Sequence, residues 1–315
     1  MQIILFTANA VFPLFVIIAI GSFLNKTGLL PEDLALKVNK ICFTAMIPCS
    51  LFKTIYNADL SISSFKIVAY GVGIYLIVIP TVTLLIPKII KKHSQIGAVA
   101  QGIFRSNMVL IGIPLMTNLF GEDHVGPMAL LITFFVPLYV VSAVIVLTIF
   151  SSDSEGKKIT AGDLVTRVFK NPMIIGAVTG IILNVLNIPL PTIIEKPVYD
   201  LAGIASPLAM LALGARFSFK SLSDNRFAVA VTVLGRLIVV PFIVVGGAVL
   251  LGFRDAELCA LLICSATPTA AASAAMADAM GNDGKLAGEI VVMTSLLSAL
   301  TLFVELCILQ FAGFM

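Results

Sequence analysis

The chain has 315 residues, of which 59% are hydrophobic and 12% charged, with 20 Lys and Arg against 17 Asp and Glu and a net charge of +3. A soluble domain carries about 25% charged residues, and a surplus this small and scattered excludes nucleic acid as a partner. With a mean hydropathy of +1.09, the chain reads as an all-α membrane protein whose solvent is the lipid bilayer, with no polar block large enough to fold as a soluble domain.

A helix needs about 20 apolar residues to cross the hydrocarbon. Windows of that length recur near 3–24, 34–57, 64–87, 95–120, 125–150, 165–187, 196–215, 227–250, 255–281 and 287–312, which predicts ten transmembrane helices. The first window lacks a basic n-region and a small-residue cleavage site, so it is read as a retained span. The breaks carry turn chemistry, as in NKTGLLPED, GEDHVGP, NIPLPTIIEKP and GNDGK. The longest polar break begins at Ser151, halfway along. Cys42, Cys49, Cys259, Cys264 and Cys307 all fall inside predicted spans, with neither disulfide nor metal-ligand spacing. They read as apolar filler, and nothing in the sequence calls for a cofactor.

Basic residues set the orientation. Arg105 and Arg236 lie within spans, and the remaining 18 Lys and Arg divide 14 to 4 between the two faces. The basic face belongs on the cytoplasmic side, which predicts a multi-pass protein of the cell membrane with both termini outside.

Shifted by 159 residues, the sequence begins to match itself. Pro13 meets Pro172, Gly21 meets Gly180, Leu24 meets Leu183, Asn25 meets Asn184, Pro48 meets Pro207 and Ser106 meets Ser265. One residue further, FGED at Phe120 faces MGND at Met280. Two repeats of five helices follow, 1–150 and 164–315, joined by a central cytoplasmic loop at 151–163. An odd helix count forces the second repeat to be inverted, the plan of secondary transporters, whose sites lie at corresponding broken helices near the midplane.

Helices 4 and 9 fit that description. The centre of helix 9 reads CSATPTAAAS, where Pro268 removes a helical hydrogen bond and frees carbonyls for the hydroxyls of Ser265, Thr267 and Thr269. The centre of helix 4 carries Arg105, Ser106 and Asn107, ahead of the weak helical stretch from Gly112 to Pro114. A central Arg costs about 2.5–3.5 kcal/mol on insertion scales, and polar residues at that depth belong where a broken helix lines a cavity. Half-helix N-termini favour anions, so Asn107, Arg105, Ser106, Ser265, Thr267, Pro268 and Thr269 are the predicted binding residues for a small organic anion. The alternative for Arg105 is snorkelling toward the headgroups.

Two further charges lie deep. Arg236 falls within helix 8 and Glu305 within helix 10. Either they form a buried structural ion pair, or Arg236 is a second carboxylate clamp and Glu305 a proton-titrating coupling group. Asp278 and Glu289 flank the turn after helix 9 and read as interfacial, and His93 and His124 read as solvated loop residues.

SNMVLIGIPL, from Ser106 to Leu115, together with the downstream LFGED, resembles the helix 4 pattern Pro-Asn-Thr-Leu-Val-Met-Gly-Ile-Pro-Leu of the auxin efflux carrier family. That family comprises the plant PIN-type carriers and bacterial malate and malonate permease relatives. The resemblance implies a fold like that of bile-acid sodium symporters and sodium/proton antiporters: helices 1, 2, 6 and 7 as a scaffold where a homodimer would form, and helices 3–5 and 8–10 as a moving core. It also implies that helices 4 and 9 cross beside the substrate and that the core moves like an elevator. In the plant relatives the Asn matching Asn107 faces the substrate carboxylate. Ser106 stands where the plant pattern has its crossing proline, and Arg105 has no counterpart there, which favours a substrate more highly charged than auxin.

The leading function is therefore a permease for a small dicarboxylate such as malate or malonate, driven by a proton or sodium gradient or by the substrate's own. The runner-up is a sodium- or proton-coupled cation antiporter of the same fold. No GxxxxGK[ST], HExxH or GxSxG pattern is present, and neither His lies in a predicted span to activate a nucleophile, so an enzyme is not expected.

Overall fold

The computed structural model describes residues 13, 16–57, 65–121, 124–152, 162, 166, 169–217 and 219–315. In chain order the helices are α1 (Val16–Lys26), α2 (Glu32–Tyr56), α3 (Phe65–Ile89), α4 (His93–Phe104), α5 (Met108–Phe120), α6 (Gly126–Ile149), α7 (Pro172–Val185), α8 (Thr192–Arg216), α9 (Phe219–Asp224), α10 (Arg226–Leu250), α11 (Asp255–Ala266), α12 (Ala272–Ala279) and α13 (Gly284–Phe311). Among the described residues no strand forms, and the one isolated β-bridge joins Ser106 to Thr269.

Among the described residues six helices, α2, α3, α6, α8, α10 and α13, are long and apolar enough to cross a bilayer unaided. The predicted spans 95–120 and 255–281 are each two helices, α4 with α5 and α11 with α12. Most of the first predicted span, and residues 153–161 and 163 of the central loop expected at 151–163, lie outside the described residues.

Local chemistry explains the irregularities. Pro172 occupies the first turn of α7, and the Asn171 side chain accepts the Met173 N–H at 3.0 Å, an N-cap in the usual sense. Asp283 caps α13 by accepting from Leu286 N–H at 3.0 Å. Helices α2 and α10 widen into π-turns at Cys42–Met46 and Gly235–Val239, each just before a proline, Pro48 and Pro241. A proline crowds the carbonyl four residues back, here that of Thr44 or Leu237. Both carbonyls sit inside the widened turns, so the bulge absorbs the clash without ending the helix.

Helices α1, α2, α7 and α8 pack closely. Gly21 of α1 lies against the Leu211 carbonyl, Gly214 of α8 against Ile18, and Gly176 and Gly180 of α7 against Pro48 and Phe52 of α2. A Cβ at any of these positions would crowd a backbone oxygen, which is how helices bind in lipid, where burial of apolar surface supplies little drive. The Gly21–Leu211 and Gly180–Phe52 contacts are related residue for residue by a shift of 159.

The second group comprises α3–α6 and α10–α13. Tyr75 of α3 packs edge-on against Phe135 and Tyr139 of α6 at centroid separations of 4.9 and 5.4 Å. At one end of the molecule the two groups are joined by charge. Arg216 pairs with Asp278 of α12 and lies 4.0 Å from Glu32 of α2, which is 2.6 Å from Lys285 of α13. Asn39 of α2 also donates to Asp278 at 3.3 Å.

Two expectations are corrected here, that Glu289 is an exposed interfacial residue and that His93 is a solvated loop residue. Glu289 is buried in α13, accepting from Asn225 at 2.9 Å. His93 is the first residue of α4, with its ring against Phe150 at 5.7 Å.

Candidate functional site

The break in α11–α12 follows from Pro268. It cannot donate a hydrogen bond, and it forces the residue before it out of the helical region; Thr267 has φ −67° and ψ 155°. The extended segment then lies antiparallel to the break after α4, where Arg105 is also extended at φ −89° and ψ 118°. Asn107 N–H donates to Pro268 O at 2.8 Å and Ala270 N–H to Arg105 O at 3.3 Å. The Ser106 and Thr267 hydroxyls are 2.5 Å apart, and the Thr269 hydroxyl donates to Gly102 O at 2.8 Å. One proline thus serves two breaks, since the extended 267–270 segment offers a hydrogen-bonding partner to the break after α4, which has no proline at residues 105–107.

A helix end leaves carbonyls without partners. At the ends of α4 and α11 they are met by Arg236, which is fully buried in the π-turn of α10. Its Nε donates to Thr267 O at 2.8 Å, its Nη2 to Cys264 O at 3.1 Å, and its Nη1 to Ile103 O and Phe104 O at 3.3 Å each. The expected clamp role for Arg236 is therefore corrected: its donors are engaged by backbone, and it does not line the cavity. The expected ion pair with Glu305 does not form, because no described carboxylate lies within 4.0 Å of Arg236. Glu305 sits half-buried in α13 with Oε2 unpartnered.

The N-terminal ends of α5 and α12 open onto a cavity of about 240 Å³, just under the usual size for a drug-like ligand and fit for a small metabolite. The crossing contributes Arg105, Ser106, Asn107 and Val109 on one side and Ala270, Ala271 and Ala272 on the other. Across from them stand Ile47, Ser50, Leu51 and Thr54 of α2 and Ala205, Ser206 and Ala209 of α8, with Val136, Tyr139 and Val140 of α6 completing the wall.

Arg105 is the sole charged residue among these. It is 5% exposed, and its guanidinium rests on the thioether of Met276, a weak acceptor. No described carboxylate lies within 4.0 Å of it. It therefore does not snorkel, and a buried cation left without an acid can accept an anionic group.

Of the predicted residues, then, Arg105, Ser106 and Asn107 are gathered at the cavity. Thr267, Pro268 and Thr269 form the crossing behind it. Ser265 is buried and bonds back to Leu261 O at 2.8 Å, so it does not reach the cavity. The helix interruption falls at 105–107, whereas Gly112 and Pro114 lie within the continuous α5. Tyr139 and Thr54 were missed. Tyr139 is 2% exposed with its hydroxyl unpartnered, and the apolar run FFVPLYVV around it gives no sign that one ring faces a cavity.

A family model described as membrane transport protein matches residues 6–305. An uncharacterized transporter of Methanothermobacter thermautotrophicus (strain Delta H) is 24% identical over 310 residues, covering 94% of this chain and 96% of the relative. With the family match running over nearly the whole length, the chain belongs to the membrane transport protein family of the auxin efflux carriers and is a multi-pass membrane transporter.

Proposed function

We propose that the protein is a secondary carrier for a small organic anion, a dicarboxylate such as malate or malonate, working by elevator-like alternating access. The observation that carries this reading is Arg105, a buried guanidinium with no acid partner among the described residues, beside Asn107 and two half-helix N-termini at one cavity. Those groups favour an anion. A cation antiporter needs acidic ligands at that place, and the cavity wall carries none.

The scaffold is α1, α2, α7 and α8, whose outward faces are where a homodimer would form, and the moving core is α3–α6 with α10–α13. The cavity lies between these groups, with Ser50, Thr54 and Ser206 on the scaffold side. The inverted repeat, 1–150 against 164–315 across the 151–163 loop, is supported by the paired glycine contacts at a shift of 159. Both termini are placed outside by the basic residues, and Glu305 is the candidate for coupling to a proton. Counterflow of radiolabelled malate, malonate, citrate and auxin in proteoliposomes tests the reading, and absence of exchange for all of them refutes the carboxylate assignment.

A further inference from the structure

Each end of a helix carries about half an elementary charge, positive at the N-terminus and negative at the C-terminus. A crossing of two broken helices brings all four ends together, and left alone they would cancel. Here they are sorted. The two C-terminal ends, at Ile103–Phe104 and Cys264–Thr267, are held by the single positive charge of Arg236. The two N-terminal ends, at Asn107 and at Ala271–Ala272, line the cavity beside Arg105.

We propose that Arg236 is a positioning residue for anion binding: substrate never touches it, yet by cancelling the negative helix ends it leaves the cavity with the undiminished positive field of Arg105 and two N-termini. This rests on the organic-anion reading of the cavity and adds its charge rule. Two N-terminal half charges with Arg105 amount to about two positive charges, which matches a fully ionised dicarboxylate. Among the described residues the other titratable group on the cavity wall is Tyr139, 2% exposed, and no acid lines the cavity to oppose the field.

The test compares Arg236→Gln, which keeps amide donors and loses the charge, with Arg236→Lys, which keeps the charge and loses the fork. Each purified variant is checked for a monodisperse fold, and counterflow is measured with malate and malonate and with their singly charged half-amides. A field acts in proportion to ligand charge. Arg236→Gln should raise the half-saturating concentration of the dianion about tenfold and of the half-amide only about threefold, with the maximal rate little changed and Arg236→Lys close to wild type. Equal losses for dianion and half-amide overturn the proposal, because they describe a collapsed crossing and not a lost field. Failure of Arg236→Lys to fold or to bind also overturns it. Failure of Arg236→Gln to fold, with Arg236→Lys normal, gives Arg236 a structural role at the crossing and likewise overturns it. A wild-type protein that exchanges no carboxylate removes the organic-anion reading itself, and this inference with it.

Discussion

Arg216, at the last turn of α8, and Asp278, near the end of α12, form an ion pair that bridges the two helix groups at one end of the molecule. The pair is largely covered, with side chains 9% and 16% exposed. It belongs to a chain of charges that continues through Glu32 to Lys285. If α12 moves with the core while α8 stays with the scaffold, this contact must open in every cycle. Single neutralisation, Arg216→Gln or Asp278→Asn, should shift the balance toward the conformation in which this end is open. A double-mutant cycle should show a coupling of about 1–3 kcal/mol. Accessibility of a cysteine introduced at Ala274, measured by thiol labelling in a background free of native cysteines, reads the shift, and labelling identical in all four forms would dismiss the latch.

Asn107 sits at the junction where α5 begins, its backbone tied to Pro268 and its side chain at the cavity. Asn107→Ala keeps the backbone bridge and removes only the amide. Uptake should be abolished with expression and thermal stability near wild type; transport at the normal rate would take Asn107 out of the site.

Arg105→Ala removes the one charged group from the cavity wall. Hydrogen bonds to a charged group contribute about 1.5–3 kcal/mol, so affinity for dicarboxylates should fall roughly 10- to 100-fold. Monocarboxylates should lose less. Inhibition of counterflow by both classes measures the difference, and equal losses would count against a clamp.

Glu305 presents an unpartnered carboxylate oxygen within α13 and no ion pair with Arg236. In the proposed cycle it would be the group that exchanges a proton. Glu305→Gln should flatten the dependence of uptake on external pH while leaving binding intact, and a pH profile superimposable on wild type would strike it from the coupling pathway.

Gly214 faces the Ile18 carbonyl with no room for a side chain. Gly214→Val should destabilise the α1–α8 contact by about 1–3 kcal/mol, seen as a lower unfolding midpoint in detergent, whereas the same change at Gly246, which has open space around it, should be tolerated.

Where the chain breaks its helices was legible because polarity at bilayer depth is costly and Pro268 leaves a fixed chemical mark. The triplet Arg105, Ser106 and Asn107 announced itself for the first reason, although the weakness of Gly112–Pro114 suggested a break that the helix does not take. The cause of the break after α4 lies in pairing with Thr269, a residue 163 positions away from Ser106, and no local pattern records a partner at that distance. Arg236 was found for its depth and misassigned in role. Its partners are main-chain carbonyls, which every residue possesses and no sequence distinguishes. Tyr139 escaped for the opposite reason, as one aromatic among many in α6.

The short antiparallel bridge between Ser106 and Thr269 has a mechanical meaning. Two rods interrupted at the same depth would each be hinges, free to bend separately, but main-chain bonds stitched from one interruption to the other turn two weak points into a single rigid knot. In the elevator-like cycle proposed above, a stroke that displaced this knot would carry α4, α5, α11 and α12 together, as one plate beneath the cargo.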